Sequence, residues 1–477
     1  MIDERLSLQS RGPYPRRPGN AVQPWIDGLP FYERLAAALR QARVRFWAIV
    51  SFLEPGFRFP DGAPWWELLA EATARGVDVR VLFWRNPSFF KTEHVFLGGP
   101  RERALLREWG ATWAARWDSS EAPSHCHHQK AYVVDGLTAA PIAFIGGMVL
   151  STATLAAPGH RHGLAKHDAF LELRGPAVVD AEHNFVQRWN LARVDPEAPP
   201  WPDEARAGPL PYPRRIPAAC GDVDVQLCRT LRPGLYAGAP PPPGAPPFDA
   251  SAGEATILEH YRGAFAAARR TIYMENQHPG QLSLLRELAA ALARGVRVVI
   301  VVPGDPMTAI YKAAAEVAAL GERAASHRYG PTFHALAALG AHPGFTLIAL
   351  ARSDRDADGR LRHREIYTHA KLCIVDGAWL TLGSANFVDL SLDADHSELN
   401  ASVWGAETAT PLLRALVAEH SDRDASDLDD VAALERIAAV ARASRRSVMA
   451  GGPVLAGCYA LDPAGYGRAP PITASRP

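Results

Sequence analysis

The sequence of 477 residues has no run of about 18 or more apolar residues, the length from which a transmembrane helix is predicted. Its start includes Asp3, Glu4 and Arg5, so the apolar core of a secretory signal is missing as well. The five cysteines are scattered without a CxxC pair, which excludes a disulfide framework and the common cysteine-rich zinc motifs. We therefore expect free thiols and a cytoplasmic location.

The formal net charge is zero, because 51 Lys and Arg residues balance 51 Asp and Glu residues. Proteins that bind nucleic acid usually carry a positive excess, so no nucleic acid partner is expected. Lysine itself is scarce, and arginine supplies nearly all the positive charge. The lysines are Lys91, Lys130, Lys166, Lys312 and Lys371. Two of them stand in a repeated motif, where a compact ammonium group would have a use.

An internal duplication organises the chain. Residues 41–50 resemble residues 267–276, and residues 74–83 resemble residues 293–302. Each pair indicates a helix end followed by a strand. Later in each half comes one copy of a His-x-Lys-x4-Asp motif, followed by a glycine-containing turn. The copies are His128/Lys130/Asp135 and His369/Lys371/Asp376.

The alternation of helices and strands in both halves predicts an α/β fold with largely buried sheets. A Pro-rich stretch between the halves predicts an irregular linker with one possible strand at Asp222–Cys228. The expected organisation is an N-terminal extension (1–29), a first unit (30–195), the linker (196–250), a second unit (251–424) and a C-terminal tail (425–477).

The histidine and lysine of each motif carry the chemistry. Side chains alternate along a strand, so His128 and Lys130 share one face, and the pair in the second copy does the same. Two imidazoles and two ammonium groups suit a phosphodiester. The lysines would hold the non-bridging oxygens, one histidine could attack phosphorus, and the other could protonate the leaving oxygen. Because the lysines supply positive charge, we expect no metal and no cofactor.

The aspartates of the motif are less easily placed. Asp135 and Asp376 follow their histidines by seven residues, an odd offset that puts them on the opposite face or past the strand end. They could orient a histidine through a bend, or they could cap the turns at Gly136 and Gly377. Both remain candidate catalytic residues.

The segments around the second motif resemble a known family. Tyr367–Gly377 and Thr381–Phe387 resemble the second motif of the phospholipase D superfamily and its Gly-Ser-x-Asn extension. Ile272–Gln277 resembles the strand that opens the second half of phosphatidyl-transferring members, and His167–Asp168 resembles part of the strand that closes the first half. The resemblance covers roughly residues 30 to 420. It implies two pseudo-symmetric α/β/α sandwich units with the active site at their interface.

The resemblance also implies chemistry through a phosphohistidine. His128 would be the nucleophile and His369 the general acid. The phosphate would be bound by Lys130, Lys371 and Asn386, with Ser384 as a further candidate.

Two more acids complete the candidate site. Asp168 and Glu398 occupy matched positions in the two halves, so each is expected near the substrate, where it could orient a histidine. A buried acid bonded only to backbone is the alternative. The copies are unequal, because Val149 stands where Asn386 stands in the second half if Gly147 matches Ser384.

The expected function is that of a phospholipase D-type phosphodiesterase or phosphatidyltransferase acting on glycerophospholipids. A cardiolipin synthase-like transferase would differ only in its acceptor, and a nuclease or other non-lipid phosphodiesterase is the third reading. Phe89 and Phe90 follow a turn and could meet a bilayer surface, so peripheral membrane contact is part of the expectation. His125–His128 could suggest a metal site, but no second ligand cluster accompanies it. The oligomeric state is left open.

Overall fold

The computed structural model describes residues 12–88, 95–120, 122, 124–161, 166–202, 207–393, 395–469 and 471–473. Phe89 and Phe90 therefore lie outside the described residues, and the membrane contact expected of them stays a prediction. Among the described residues, no helix is both long enough and apolar enough to cross a bilayer.

Strands of the first half form one mixed sheet. They are β1 (Arg17–Ile26), β2 (Arg45–Val50), β3 (Asp78–Arg85), β4 (Ala114–Ser119), β5 (Ala131–Val134), β6 (Ile142–Gly146) and β7 (Ala169–Arg174). Their spatial order is β4-β3-β2-β5-β6-β7-β1, with β2, β3 and β4 parallel and the remaining pairs antiparallel. The motif strand β5 therefore lies at the centre of the sheet.

The second half repeats this arrangement. Its strands are β8 (Val223–Leu231), β9 (Glu254–Ala255), β10 (Thr271–Glu275), β11 (Arg297–Val301), β12 (Phe345–Arg355), β13 (Leu361–Ile366), β14 (Leu372–Val375), β15 (Trp379–Gly383), β16 (Glu398–Trp404) and β17 (Cys458–Ala460). The order β12-β11-β10-β14-β15-β16-β8 matches the first sheet strand by strand. Strands β1 and β8 also pair with each other and join the two sheets.

Helices cover both faces of the sheets. They are α1 (Gly28–Gln41), α2 (Trp65–Ala74), α3 (Pro100–Glu108), α4 (Val178–Leu191), α5 (Thr256–Ala267), α6 (Leu282–Ala293), α7 (Thr308–Ala319), α8 (Gly330–Gly340), α9 (Asp389–Leu392), α10 (Ala406–Ser421) and α11 (Asp430–Met449). Helices α4, α10 and α11 share one apolar core with the inner faces of both sheets. Helices α1 and α2 pack on the outer face of the first sheet, and α5, α6 and α8 on that of the second. The predicted α/β class, with α/β/α layers in each half, is confirmed.

Local sequence explains the repeated connections. Helix α6 buries Leu284, Leu285 and Leu288 on one face, the spacing of an amphipathic helix against a sheet. Gly76 and Gly295 follow the ends of α2 and α6 with φ of 87° and 90°. Glycine adopts this left-handed conformation without strain, so each helix ends there and the chain turns into a strand.

The structure builds three segments into the sheets that the sequence had set apart. Strand β1 lies within the expected N-terminal extension and pairs with β7 from Ala21 to Ile26. Strand β8 contains most of the possible strand expected at Asp222–Cys228 in the linker, and it pairs with β16 from Asp224 to Thr230. Helix α11 and strand β17 lie within the expected tail, where β17 pairs with β12. Pro18, Gly19 and Pro24 hide the strand pattern of β1, because neither residue type favours a strand.

Candidate active site

The two histidine-lysine pairs stand at the starts of the central strands β5 and β14, where the halves meet. His128 N donates to Ser397 O at 2.9 Å, and His369 N donates to His167 O at 2.7 Å. Each motif histidine is thus bonded to the segment that precedes the acid of the other half. His128, Lys130, His369 and Lys371 are all buried. One site is therefore built from both copies.

Each histidine is oriented by an acid that the other half supplies. His128 Nδ1 lies 3.0 Å from both carboxylate oxygens of Glu398. His369 Nδ1 lies 2.5 Å from Asp168 Oδ2. A carboxylate on Nδ1 holds the ring in one orientation and places the proton on that nitrogen. Nε2 of each ring is then the atom available for chemistry.

Ser384 supports Glu398. Its Oγ donates to Glu398 Oε2 at 2.5 Å and accepts from Leu399 N at 3.0 Å. The serine therefore reaches the acid of the site, which the sequence did not predict. Asn386 is half-buried, and its Oδ1 has no hydrogen-bond partner among the described residues, so the side chain has bonding capacity left for a ligand.

Gly147 explains why the first half departs from the second. A Cβ at this position would lie 2.7 Å from Asp168 Oδ1 and 3.0 Å from the Lys371 side chain. A serine like Ser384 would therefore collide with the acid that holds His369. The two histidines are therefore held by different residues. Ser384 and Glu398 lie beside His128, and Gly147 and Asp168 lie beside His369.

The positive charges of Lys130 and Lys371 are buried, and the nearby carboxylates offset the effect of burial only in part. Lys130 Nζ donates to His128 O at 2.7 Å, and Lys371 Nζ donates to His369 O. Burial lowers the pKa of Lys130 to about 8 and that of Lys371 to about 7, although the carboxylates of the site oppose the shift. A phosphate group would supply the missing negative charge, so the site favours an anion.

A third lysine belongs to this electrostatic environment. Lys166 Nζ lies 5.7 Å from the centre of the Tyr367 ring. Its positive charge, after burial and Lys371, contributes to lowering the pKa of His369 well below the ordinary value. The sequence offered one signal for Lys166, its membership in a very small set of lysines.

The two acids have different acidities. Burial raises the pKa of Asp168 to about 7, even though Lys371 lowers it. Burial also acts to raise the pKa of Glu398, but the charge and hydrogen bond of His128 overcome this effect and leave the pKa well below its usual range. Glu398 is thus the stronger acid, and the site is asymmetric in charge as well as in residue type.

Asp135 and Asp376 are not brought into the site, so their place among the candidate catalytic residues is corrected. Asp135 Oδ1 accepts from Arg43 N, Val44 N and Arg45 N at 2.9, 2.7 and 3.3 Å. Asp376 accepts in the same way from the backbone of residues 269–271. Both aspartates have φ of 52° and hold the turn after the motif strand to the start of its neighbour. The reason is the separation of seven residues from each histidine, which carries Asp135 and Asp376 past the end of the motif strand.

We expect Asp376→Ala to destabilise the protein without impairing catalysis. Three backbone N–H groups lose their acceptor, those of the exposed Arg269 and Arg270 and that of the buried Thr271, so the free energy of unfolding should fall by about 1 kcal/mol. The kcat should stay within about twofold, because no reacting group is touched. Thermal unfolding and steady-state kinetics check this, with the exposed Asp358→Ala as control. A folded variant that loses about a hundredfold in kcat would restore a catalytic role for the aspartate.

The His125–His128 segment has partners other than a metal. His125 Nδ1 bonds Asp395 O, and His127 lies 3.2 Å from Asp118 and 3.1 Å from Tyr236 Oη. Groups of three or more His, Cys, Asp or Glu side chains that could share a cation do occur among the described residues, and they include His167. They do not include any residue of 125–128.

The chain is similar to known proteins in part of its sequence and in its fold. Residues 261–417 match the family described as "Cardiolipin synthase, PLD-like domain". No curated protein matches the chain significantly. The crystal structure of phosphatidylserine synthase from Haemophilus influenzae Rd KW20 is similar, with a TM-score of 0.52 and 11% identity over 83% of this chain and 84% of that chain. NucT from Helicobacter pylori matches with a TM-score of 0.23 and 16% identity over 32% of this chain and 81% of that chain, too limited a likeness to support a conclusion. The resemblance to the phospholipase D superfamily is confirmed.

Proposed function

We propose that this chain, which carries a phospholipase D-like domain, cleaves the head-group phosphodiester of glycerophospholipids and passes the phosphatidyl group to water or an alcohol. The observation that supports this most is the crossed pairing of His128 with Glu398 and His369 with Asp168. It gives one site two oriented imidazoles, and the buried lysines beside them favour a phosphate.

The proposed reaction has two steps. His128 Nε2 attacks phosphorus, the bond to the head-group oxygen breaks, and His369 donates a proton to that oxygen. Lys130 and Lys371 bind the non-bridging oxygens and stabilise the charge of the transition state. In the second step His369 removes a proton from the acceptor, whose oxygen attacks phosphorus and releases His128.

His369 must be protonated for the first step, although its pKa in the free protein is low. Burial and the nearby lysines cause that low pKa. A bound phosphodiester brings a negative charge among these cations and so raises the pKa of His369. Substrate binding thereby prepares the general acid.

A cardiolipin synthase-like transfer, in which a second glycerophospholipid is the acceptor, is the second candidate. The description of the family that matches residues 261–417 favours it. Both reactions share the covalent intermediate and differ in the group that attacks it.

Product analysis tests the proposal. The protein is incubated with phosphatidylcholine and phosphatidylglycerol vesicles, with and without ethanol, and the lipids are separated. We expect phosphatidic acid, with phosphatidylethanol when ethanol is present, or cardiolipin if phosphatidylglycerol is the acceptor. The double variant His128→Ala/His369→Ala is the control. Cleavage of a nucleic acid or a simple diester alone, with no change in either lipid, would overturn the lipid assignment.

We expect the acid limb of the pH profile of kcat/KM near pH 4. His128 attacks only when neutral, and burial, Lys130 and His396 lower its pKa to about 4 against the opposing effect of Glu398. The ring is neutral above that pH and protonated below it, so kcat/KM should fall about tenfold per pH unit below 4. A soluble phosphodiester of p-nitrophenol gives the profile, because its leaving group needs no proton from His369, and circular dichroism at each pH controls for unfolding. A limb near 6.5, the ordinary pKa of histidine, would contradict the expectation.

A further inference from the structure

A second cluster of titratable side chains lies buried between the halves. Asp27, His160 and His167 come from the first half, and Glu419 comes from α10 of the second half. Asp27 and His167 are completely buried, and the other two side chains are almost so. The reaction proposed above uses none of these groups, although His167 directly precedes Asp168.

The donor atoms converge at distances suited to a metal ion. Asp27 Oδ2 lies 3.0 Å from His160 Nε2, and Asp27 Oδ1 lies 2.9 Å from His167 Nδ1. The two ring nitrogens are 3.4 Å apart. Glu419 Oε1 lies 3.7 Å from His160 Nε2 and 3.8 Å from His167 Nδ1. Four ligands about 2.0–2.1 Å from a tetrahedral Zn²⁺ stand about 3.3 Å from one another, so the observed separations bracket that value.

Hydrogen bonding leaves these atoms in need of a cation. His167 Nε2 donates to Glu275 Oε2 at 2.9 Å, and Nδ1 faces Asp27 Oδ1 at 2.9 Å. Without a cation, Glu275 and Asp27 raise the pKa of His167 well above its ordinary value, so an ion that binds Nδ1 takes the place of the proton there. Asp27 Oδ2 is buried without a hydrogen-bond partner, although His160 Nε2 is only 3.0 Å away. His160 Nδ1 also has no partner among the described residues. Close approach without hydrogen-bond alignment is what ligands of one ion show.

The surroundings supply the outer hydrogen bonds that metal ligands usually have. The pairing of His167 Nε2 with Glu275 is a carboxylate-histidine arrangement that fixes the ring of a metal ligand. Glu275 Oε1 in turn accepts from His420 Nε2 at 3.0 Å and from Tyr273 Oη at 2.5 Å. Glu419 Oε1 accepts from Gly159 N at 2.9 Å. Both the histidine and the carboxylate are therefore held in place from outside.

We propose that Asp27, His160, His167 and Glu419 bind a divalent transition-metal ion of the Zn²⁺ class. Two carboxylates and two neutral imidazoles balance the charge of such an ion, and a nitrogen and oxygen set of four fits tetrahedral zinc. All four positions are filled by protein, which is the pattern of a structural site. Because Glu419 comes from the second half, the ion joins the halves.

The site would also fix the position of the general acid. His167 O accepts from His369 N at 2.7 Å, and the next residue, Asp168, bonds His369 Nδ1. A metal bound to His167 therefore holds both contacts of His369 with the first half.

Metal analysis of the intact chain tests the proposal. The protein is stripped with a chelator, reconstituted with ZnCl₂, passed through a desalting column and analysed by mass spectrometry for metals. We expect about one Zn²⁺ per chain, and an increase in Tm of at least about 5 °C over the stripped protein. Reconstitution with Co²⁺ should give the visible absorption of a tetrahedral site.

Variants locate the ion. His160→Ala and Glu419→Gln should reduce bound Zn²⁺ to below about one tenth per chain and remove the Tm increase. His183→Gln, at a buried histidine outside the cluster, should retain both. The double variant His128→Ala/His369→Ala should also retain the ion, which separates this site from the reaction and from the function proposed above. No retained Zn²⁺ and no Tm response in the wild-type chain would overturn the assignment and show that protons alone hold the cluster. Retention of Zn²⁺ by both Glu419→Gln and His160→Ala would overturn it as well.

Discussion

We expect His128→Ala to lower kcat by at least about 10⁴-fold and to abolish the covalent intermediate. If His128 is the nucleophile of the proposed two-step reaction, its removal leaves only binding and transition-state electrostatics, which cannot form the phosphorus-nitrogen bond. His128 is buried beside Glu398 and Lys130, so a water molecule in the space it leaves would be a poor substitute for the imidazole. Steady-state kinetics on phospholipid vesicles measure the loss.

His369→Ala should behave differently when the leaving group needs no proton. With a phosphodiester of p-nitrophenol, we expect this variant to release about one equivalent of p-nitrophenolate in a burst. The chain should then carry the phosphoryl group, since the second step lacks its base. Mass spectrometry of the quenched protein detects the adduct, which His128→Ala should never form.

Opposite behaviour of the two variants would exchange the roles of the histidines. A burst from His128→Ala and none from His369→Ala would make His369 the nucleophile. Near-normal turnover by either variant would contradict the two-histidine reaction altogether. The wild-type protein and the exposed His334→Ala variant serve as controls.

The second large effect is expected for Glu398→Gln, which should reduce kcat by about 10³-fold with little change in KM. The carboxylate keeps the proton of His128 on Nδ1. A glutamine that presents its N–H to the ring instead favours the other tautomer, in which the attacking Nε2 carries the proton. A loss confined to kcat is expected because the glutamate faces the histidine and not the substrate.

Ser384→Ala should lower kcat less than Glu398→Gln does. It removes one hydrogen bond to Glu398 Oε2 but leaves the carboxylate in place, so a loss of about tenfold is expected. Glu172→Gln, at a carboxylate paired with Arg34, is an isosteric control outside the site. Equal activity of Glu398→Gln and wild-type protein, with both folded, would remove the orienting role of the acid.

Part of this site could be predicted from the sequence because strand geometry is local. The two-residue spacing of His128 and Lys130 fixes a shared face wherever the strand lies. The duplication marked Asp168 and Glu398 as equivalent positions. It could not show that each acid meets the histidine of the other half, because that pairing depends on how two distant units face each other.

The remaining residues were hidden for identifiable reasons. Asp27 lies in a segment that the proline and glycine content of β1 set apart from the fold, and its φ of 63° fits no regular pattern. Glu419 and His420 sit on α10, where isolated polar residues on a helix usually face solvent. Their burial is decided by the contact between the halves, which no single helix or strand encodes.

The crossed pairing of acids and histidines has a consequence for the history of the chain. Neither half holds a complete pair of histidine and orienting acid, so a protein with only one copy would need a second molecule of itself to complete either pair. Once both copies lay on one polypeptide, each could change without the other. The glycine and aspartate beside His369, against the serine and glutamate beside His128, show that the two copies now hold their histidines with different residues.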